Sequence, residues 1–155
     1  MKAAAVLMEV LKSAGVRYLF GNPGTTELTF LDALPDSGLE YVVALQEAVA
    51  VSAADGYAQA SGRVGVVNVH VAPGVGNSLS ILHNASRARS PLVVTAGQQD
   101  SRLLLDEPIL SGDLVQMTEQ YTKWSYERDV LQTCLAHEGP SLVDVAIDRG
   151  FKAMT

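Results

Sequence analysis

Between Leu45 and Asn77 the chain reads LQEAVAVSAADGYAQASGRVGVVNVHVAPGVGN, and this stretch narrows the possible folds more than any other. The apolar run Tyr41 to Leu45 leads into it and is followed by an acidic residue, Glu47. Ala48 to Ser61 then alternates small and apolar residues at helical spacing, and Gly62 ends them. A second apolar run, Val64 to Val71, enters the turn Ala72-Pro73-Gly74-Val75-Gly76-Asn77. Strand, helix, strand and glycine turn form a βαβ unit, and the crossover helix forces its two strands to run parallel. Ligands of such sheets bind beyond the carboxyl ends of the strands. Glu47 and His70 both fall at such ends, which makes them the first candidates for chemistry.

The flanking segments extend the same alternation. Lys2 to Ala14 places Ala5, Val6, Met8, Val10 and Leu11 on one broad face and predicts a helix stopped by Gly15. Val16 to Phe20 predicts a strand and Gly21 to Thr26 a turn; Thr25 or Thr26 then caps a helix reaching Leu34, with Glu27 favourable in its first turn. Pro35 to Gly38 breaks it, and Tyr41 to Leu45 is the next strand. Beyond the βαβ unit, Gly76 to Arg89 predicts a helix, Pro91 to Ala96 a strand and Gly97 to Asp100 a loop. From Ser101 to Tyr126 the pattern weakens to short helical turns around Pro108 and a short strand over Thr122 to Tyr126. Glu127 to Ala136 reads as a helix, Gly139-Pro140 as a break and Ser141 to Ile147 as a last strand. Short connections between alternating strands and helices predict an α/β fold: a doubly wound parallel sheet with helices on both faces.

Several functional classes fall away on composition. The length of 155 residues suits one domain with a sizeable core. Lys plus Arg number 11 against 17 Asp plus Glu, a net charge of −6, and there is no basic run, so nucleic acid is not an expected partner. The lone Cys134 cannot close an internal disulfide. The apolar start, Met1 to Val10, is interrupted by Glu9 and Lys12 and reads as an amphipathic helix rather than a signal peptide. No apolar run approaches the roughly 18 residues of a membrane span. A cytoplasmic, soluble protein is expected.

Each candidate also has a plain structural explanation. Glu47 at a helix start is stabilised by the helix dipole whether or not it binds anything. A histidine ending a strand, as His70 does, is often a hydrogen-bonded core residue, although the glycine turn beside it favours a polar site. Gly74-Val75-Gly76 lacks the third glycine of a dinucleotide fingerprint. Asp106, Glu107 and Asp113 read as a solvated loop, and no metal site is expected. Trp124 reads as packing. The alanines at 48, 50, 53, 54, 58 and 60 allow a close helix contact, either with the sheet or with a second subunit.

Taken together, GNPGTTELTF, ALQEAVAVSAADGYAQASG, NVHVAPGVGNS, SPLVVTAGQQ and KWSYE resemble the N-terminal pyrimidine-binding domain of thiamine-diphosphate enzymes, in the branch of benzoylformate decarboxylase. The likeness covers about Met1 to Tyr126, with the motifs in the family's order. It implies thiamine diphosphate as cofactor. Glu47 would be the carboxylate that hydrogen-bonds the aminopyrimidine ring and favours the tautomer able to deprotonate the thiazolium carbon, the chemistry itself being the cofactor's. His70 matches a histidine of that branch that moves protons around the 2-oxo acid substrate, and acetolactate synthase relatives lack it. Thr25 stands where the branch has a serine contacting the substrate carboxylate. Pro23, Gly24, Gly74 and Asn77 match positions lining the pyrimidine side of the cofactor.

After Tyr126 the resemblance changes. The family's diphosphate-binding domain holds magnesium with a Gly-Asp-Gly motif and a later Asn; here Gly112-Asp113 is followed by Leu114, and no asparagine follows Asn84. RDVLQTCLAHEGPSLVDVAIDRGFKAM looks like the end of that domain, which implies one unit over 1–126 and a helix–strand tail over 127–155. Magnesium would come from a partner domain. The partner would be a second copy or a diphosphate-domain chain, and the activity 2-oxo acid decarboxylation. A remnant or interaction module without catalysis, an acetolactate synthase-like carboligase subunit, and a dinucleotide- or flavin-binding domain are the alternatives.

Overall fold

The computed structural model describes residues 3–99, 104–123 and 145–147. Helix α1 (Ala3–Ser13) leads into strand β1 (Tyr18–Asn22); a 3-10 turn (Thr25–Glu27) and two short helices, α2 (Leu28–Leu31) and α3 (Leu34–Ser37), precede β2 (Glu40–Val43). There follow α4 (Glu47–Ser61), β3 (Gly65–Val69), α5 (Val71–Ala88), β4 (Leu92–Ala96), a 3-10 turn (Leu104–Asp106), α6 (Leu114–Thr118) and β5 (Val145–Ile147). The sheet order is β2-β1-β3-β4-β5. Its first four strands are parallel, and β5 pairs antiparallel with β4. The chain is therefore the expected doubly wound α/β sheet, with one reversed strand at its edge.

The valine-rich strands explain the two-sided burial. Every residue of β3 is buried, as a parallel strand covered on both faces requires. Leu19, Val66 and Val93 pack against Met8 and Leu11 of α1 on one face. Their neighbours Phe20, Val67 and Val94 pack against Ala50, Ala54 and Ala58 of α4 and Val75 and Leu82 of α5 on the other. The small residues of α4 let it lie close on the sheet: a Cβ at Gly65 would sit 2.5 Å from the Ala54 carbonyl oxygen. Ala50, Ala54 and Ala58 thus serve packing on the sheet, whereas Ala53 and Ala60 are exposed.

Several element boundaries differ from those predicted. Strand β1 begins two residues later than Val16, because the Val16 amide still bonds the Leu11 carbonyl at the end of α1. The helix predicted from Thr25 or Thr26 to Leu34 is divided into a 3-10 turn and two short helices, with Pro35 inside the first turn of α3 rather than breaking it. A proline is tolerated there because its missing N–H has no helical partner. The largest difference concerns Ala72 to Asn77, which is not a turn but the first turns of α5. Helix α6 has no counterpart in the sequence expectation. Thr122 and Lys123 are not in a strand. Trp124, Cys134, the helix expected over Glu127 to Ala136 and the Gly139-Pro140 break lie outside the described residues.

Candidate functional site

Two buried carboxylates define the carboxyl edge of the sheet. Glu47 is the first residue of α4, entered through extended Gln46, whose side-chain oxygen accepts the Ala48 amide at 2.7 Å. That cap fixes the helix start and turns the Glu47 side chain inward, where it is 6% exposed. Asn22, the last residue of β1, donates its Nδ2 to Glu47 Oε1 at 3.2 Å, and Asn77 of α5 donates its Nδ2 to Oε2 at 3.0 Å. Both oxygens are therefore held by amides from two different elements. Gly74 completes the wall: a Cβ there would lie 3.2 Å from Oε1 and 3.3 Å from Cγ of Glu47.

Glu27 is the second carboxylate, 2% exposed. Its Oε2 accepts the Gly24 amide at 2.7 Å and lies 2.7 Å from His70 Nδ1. Its Oε1 accepts the Gly97 amide at 2.9 Å and the Thr26 hydroxyl at 2.7 Å. With three other donors aimed at it, Glu27 acts as an acceptor, so His70 Nδ1 carries the proton. The Thr26 oxygen lies a further 3.2 Å from the same nitrogen. With Nδ1 turned to Glu27, Nε2 is the ring nitrogen left to exchange a proton with another group. Burial of this carboxylate without its donors would cost several kcal/mol, so the four donors are what make the position tolerable.

Glycine is required at two positions around this second cluster. A Cβ at Gly24 would collide with the His70 ring, and one at Gly97 would collide with Glu27 Oε1. Beneath them, Tyr41 of β2 reaches over Gly21 and donates its hydroxyl to Asn68 Oδ1 at 3.2 Å. Asn68 Nδ2 in turn donates to Thr95 Oγ1 at 3.0 Å. Burial first, and the Glu27 charge second, raise the pKa of Tyr41 well above the usual phenol value.

The residues singled out from the sequence fall into three groups. Glu47, Gly74 and Asn77 meet at the first carboxylate, and Gly24 and His70 meet at the second. Pro23 is half-buried between Asn22 and Gly24, joining the two clusters along the chain. Thr25 is exposed, and among the described residues no hydrogen bond holds its hydroxyl. Sequence reasoning missed Asn22, Thr26, Gly97 and above all Glu27. A glutamate in a first helical turn gives no local sign of burial, and Glu27 is buried by Gly97, 70 residues further along.

Comparison with known proteins agrees with this architecture. Residues 1–120 match the family described as thiamine pyrophosphate enzyme, N-terminal TPP binding domain. Benzoylformate decarboxylase of Pseudomonas aeruginosa is 43% identical over 120 residues, 77% of this chain and 22% of that protein. The acetolactate synthase large subunit of Haemophilus influenzae is 32% identical over 127 residues, 81% of this chain and 22% of that one. Among solved structures, the thiamine diphosphate-dependent 4-hydroxybenzoylformate decarboxylase of Rhodococcus jostii superposes with a TM-score of 0.80 at 40% identity, over 86% of this chain and 26% of its own. Benzoylformate decarboxylase from Polynucleobacter necessarius gives 0.75 at 40% identity, over 81% and 24%. The chain thus spans about a quarter or less of the length of these relatives. It belongs to the thiamine pyrophosphate enzymes, as a relative of benzoylformate decarboxylase and acetolactate synthase through their N-terminal TPP-binding domain.

Proposed function

We propose that the chain supplies the pyrimidine half of the cofactor site of a thiamine diphosphate-dependent 2-oxo acid decarboxylase resembling benzoylformate decarboxylase. The observation that carries this reading is the Glu47 carboxylate. It is buried, held on both oxygens by Asn22 and Asn77, and faces the missing side chain of Gly74. A buried carboxylate fixed on both oxygens suits a flat heteroaromatic ring that must present a nitrogen to an acceptor. Thiamine diphosphate, when bound, supplies the carbon nucleophile and electron sink that loss of carbon dioxide requires.

The chain's own groups then divide the work. Glu47 accepts a hydrogen bond from the ring and fixes its tautomer, while Pro23, Gly24, Gly74 and Asn77 line the ring's edge. His70, with Nδ1 committed to Glu27, offers Nε2 for proton transfer at the substrate. The unbonded hydroxyl of Thr25 is free to meet the substrate carboxylate. His70 favours decarboxylase over carboligase chemistry among the two kinds of relative. We assign residues 1–126 to the pyrimidine-binding unit and 127–155 to a tail resembling the end of the diphosphate domain. Magnesium and the diphosphate contacts come from a partner domain, in a cytoplasmic dimer or in a complex with a separate chain. Among the described residues no helix is long and apolar enough to cross a membrane.

The test is a titration of thiamine diphosphate and magnesium into the purified chain, alone and with a candidate diphosphate-domain partner, read by melting temperature. Stabilisation that needs the partner and disappears in Glu47→Ala supports the split-site reading. Turnover of a 2-oxo acid by the chain alone would contradict the need for a partner, and no stabilisation under either condition would favour a non-catalytic member of the family.

A further inference from the structure

Strand β2 ends the sheet on one side, so half of its backbone groups face away from it. The amides of Glu40 and Ala44 donate to the carbonyls of Arg17 and Gly21 at 2.9 and 2.8 Å. Hydrogen-bonding direction alternates along a strand, so the N–H and C=O groups of Tyr41 and Val43 point outward. Among the described residues no backbone group pairs with them. Natural sheet edges are blunted by charges, prolines, bulges or a covering element. Tyr41-Val42-Val43-Ala44-Leu45 carries no charge and no proline, and its register with β1 runs from Glu40 to Val43 without a bulge. Nor is the strand covered: Val42 is 41% exposed and Val43 68%, and these neighbours point to opposite faces of the sheet. The charge at the strand's start, Glu40, is already held by Arg17 Nε at 3.0 Å.

We propose that this edge pairs with the same edge of a second copy, β2 against β2 in antiparallel fashion, about a two-fold axis at Val42. The outward groups set the register. Tyr41 of one copy faces the partner's Val43, and each such pair exchanges two N–H···O=C bonds, so every outward group of the two residues finds a mate. Val42 meets the partner's Val42 in the closer pair between them. A slip of one residue would set these groups opposite ones already bonded within each sheet. Charge agrees with the register: Glu40 falls opposite the partner's Ala44 rather than the partner's Glu40, so no like charges meet across the strands. The contact is isologous and uses each copy's β2 edge once, so it closes at a dimer.

This contact needs no cofactor, so its test can fail independently of any cofactor titration. The purified chain is followed by sedimentation velocity over a range of concentrations, beside Val43→Pro. Proline is tolerated at an edge position whose N–H faces outward, so the variant is expected to keep the parent's circular dichroism spectrum. It removes two of the four bonds between the copies, one donated by each, and the dimer is expected to weaken about tenfold or more. In the second arm Cys134, the chain's one cysteine, is replaced by serine, and Val42→Cys or Asn84→Cys is added. Residues in the closer antiparallel pair have Cα atoms about 4.5 Å apart, within the span of a disulfide. With oxidised glutathione, Val42→Cys is expected to form a covalent dimer faster than Asn84→Cys, whose site on α5 is exposed but lies away from β2. A monomeric parent overturns the proposal, and so does a dimer that a folded Val43→Pro leaves unchanged. If Val43→Pro does not fold, the cysteine arm decides: cross-linking no faster at 42 than at 84 overturns it.

Discussion

Glu27 and Glu47 are both buried carboxylates, but the polypeptide holds them differently. Glu27 takes two backbone amides, a hydroxyl and an imidazole, whereas Glu47 takes two side-chain amides and lies close against Gly74. A glutamine at 27 keeps one acceptor oxygen and turns an NH2 group towards donors that need an acceptor. Hydrogen bonds to charged groups contribute about 1.5–3 kcal/mol, and leaving a buried donor unpaired costs about 1–3 kcal/mol. Glu27→Gln is therefore expected to lose about 3 kcal/mol of unfolding free energy in urea, and Glu47→Gln, with fewer donors, about 1 kcal/mol. Equal losses would show that Glu27 is not the structural hub of the site. Glu47 and His70 were legible because each stands just beyond a strand of a βαβ unit, where a helix starts, a position set by local pattern. The role of Glu27 was not, because Gly24 is local to it but His70 and Gly97 reach it only through the folded sheet.

Strand β2 shows how one side chain secures an element. It lies at the sheet edge and is mostly exposed, and Tyr41 is its half-buried residue. The Tyr41 hydroxyl crosses Gly21 to reach Asn68, two strands away, and so ties the edge strand to β3 as well as to β1. Raised above its ordinary value of 10.0 by burial and then by Glu27, this phenol stays protonated in the folded chain when the unfolded one has ionised. The folded state then holds the extra proton, so the stabilisation is complete below pH 10 and is lost as pH rises from there towards the folded-state pKa. A melting temperature that falls above pH 10, and falls less steeply in Tyr41→Phe, is the expected outcome; identical slopes would remove Tyr41 from the account. At neutral pH the same substitution leaves Asn68 Oδ1 without its donor and costs about 1 kcal/mol. The elements themselves were largely readable from apolar periodicity. Their ends were not, and the clearest case is Ala72 to Asn77: Pro73, Gly74 and Gly76 have the composition of a turn, yet they form a helix start pressed against Glu47. The last strand was readable, but not its antiparallel direction, which depends on a pairing with β4 that local sequence does not encode.

Across the whole molecule, stability and exposure are divided between the middle of the sheet and its carboxyl edge. Two apolar layers flank β3, with α1 on one face and α4 and α5 on the other, and a parallel sheet of this kind was legible because valine-rich runs alternate with helical periods. Beside the Glu47 cluster the pattern inverts: Val43, Leu45 and Val49 are apolar and exposed, Leu45 to 97%. Large exposed side chains in one short stretch favour association, and the net charge of −6 opposes it. Leu45 and Leu82 therefore make a matched pair of tests. Leu82 of α5 is 0% exposed, and Leu82→Ala leaves a cavity expected to cost about 2–5 kcal/mol. Leu45→Lys changes a side chain that the described fold does not bury, so its unfolding free energy should stay within about 0.5 kcal/mol of the parent. Its self-association, followed by sedimentation velocity over a range of concentrations, should weaken, because a charge replaces the largest apolar surface at that edge. An unfolding loss for Leu45→Lys comparable to that of Leu82→Ala would mean that Leu45 is buried in the purified chain, with the association surface already closed. A small loss with unchanged sedimentation would mean that Leu45 takes no part in association, leaving Val43 and Val49 as the apolar side chains to vary at that edge.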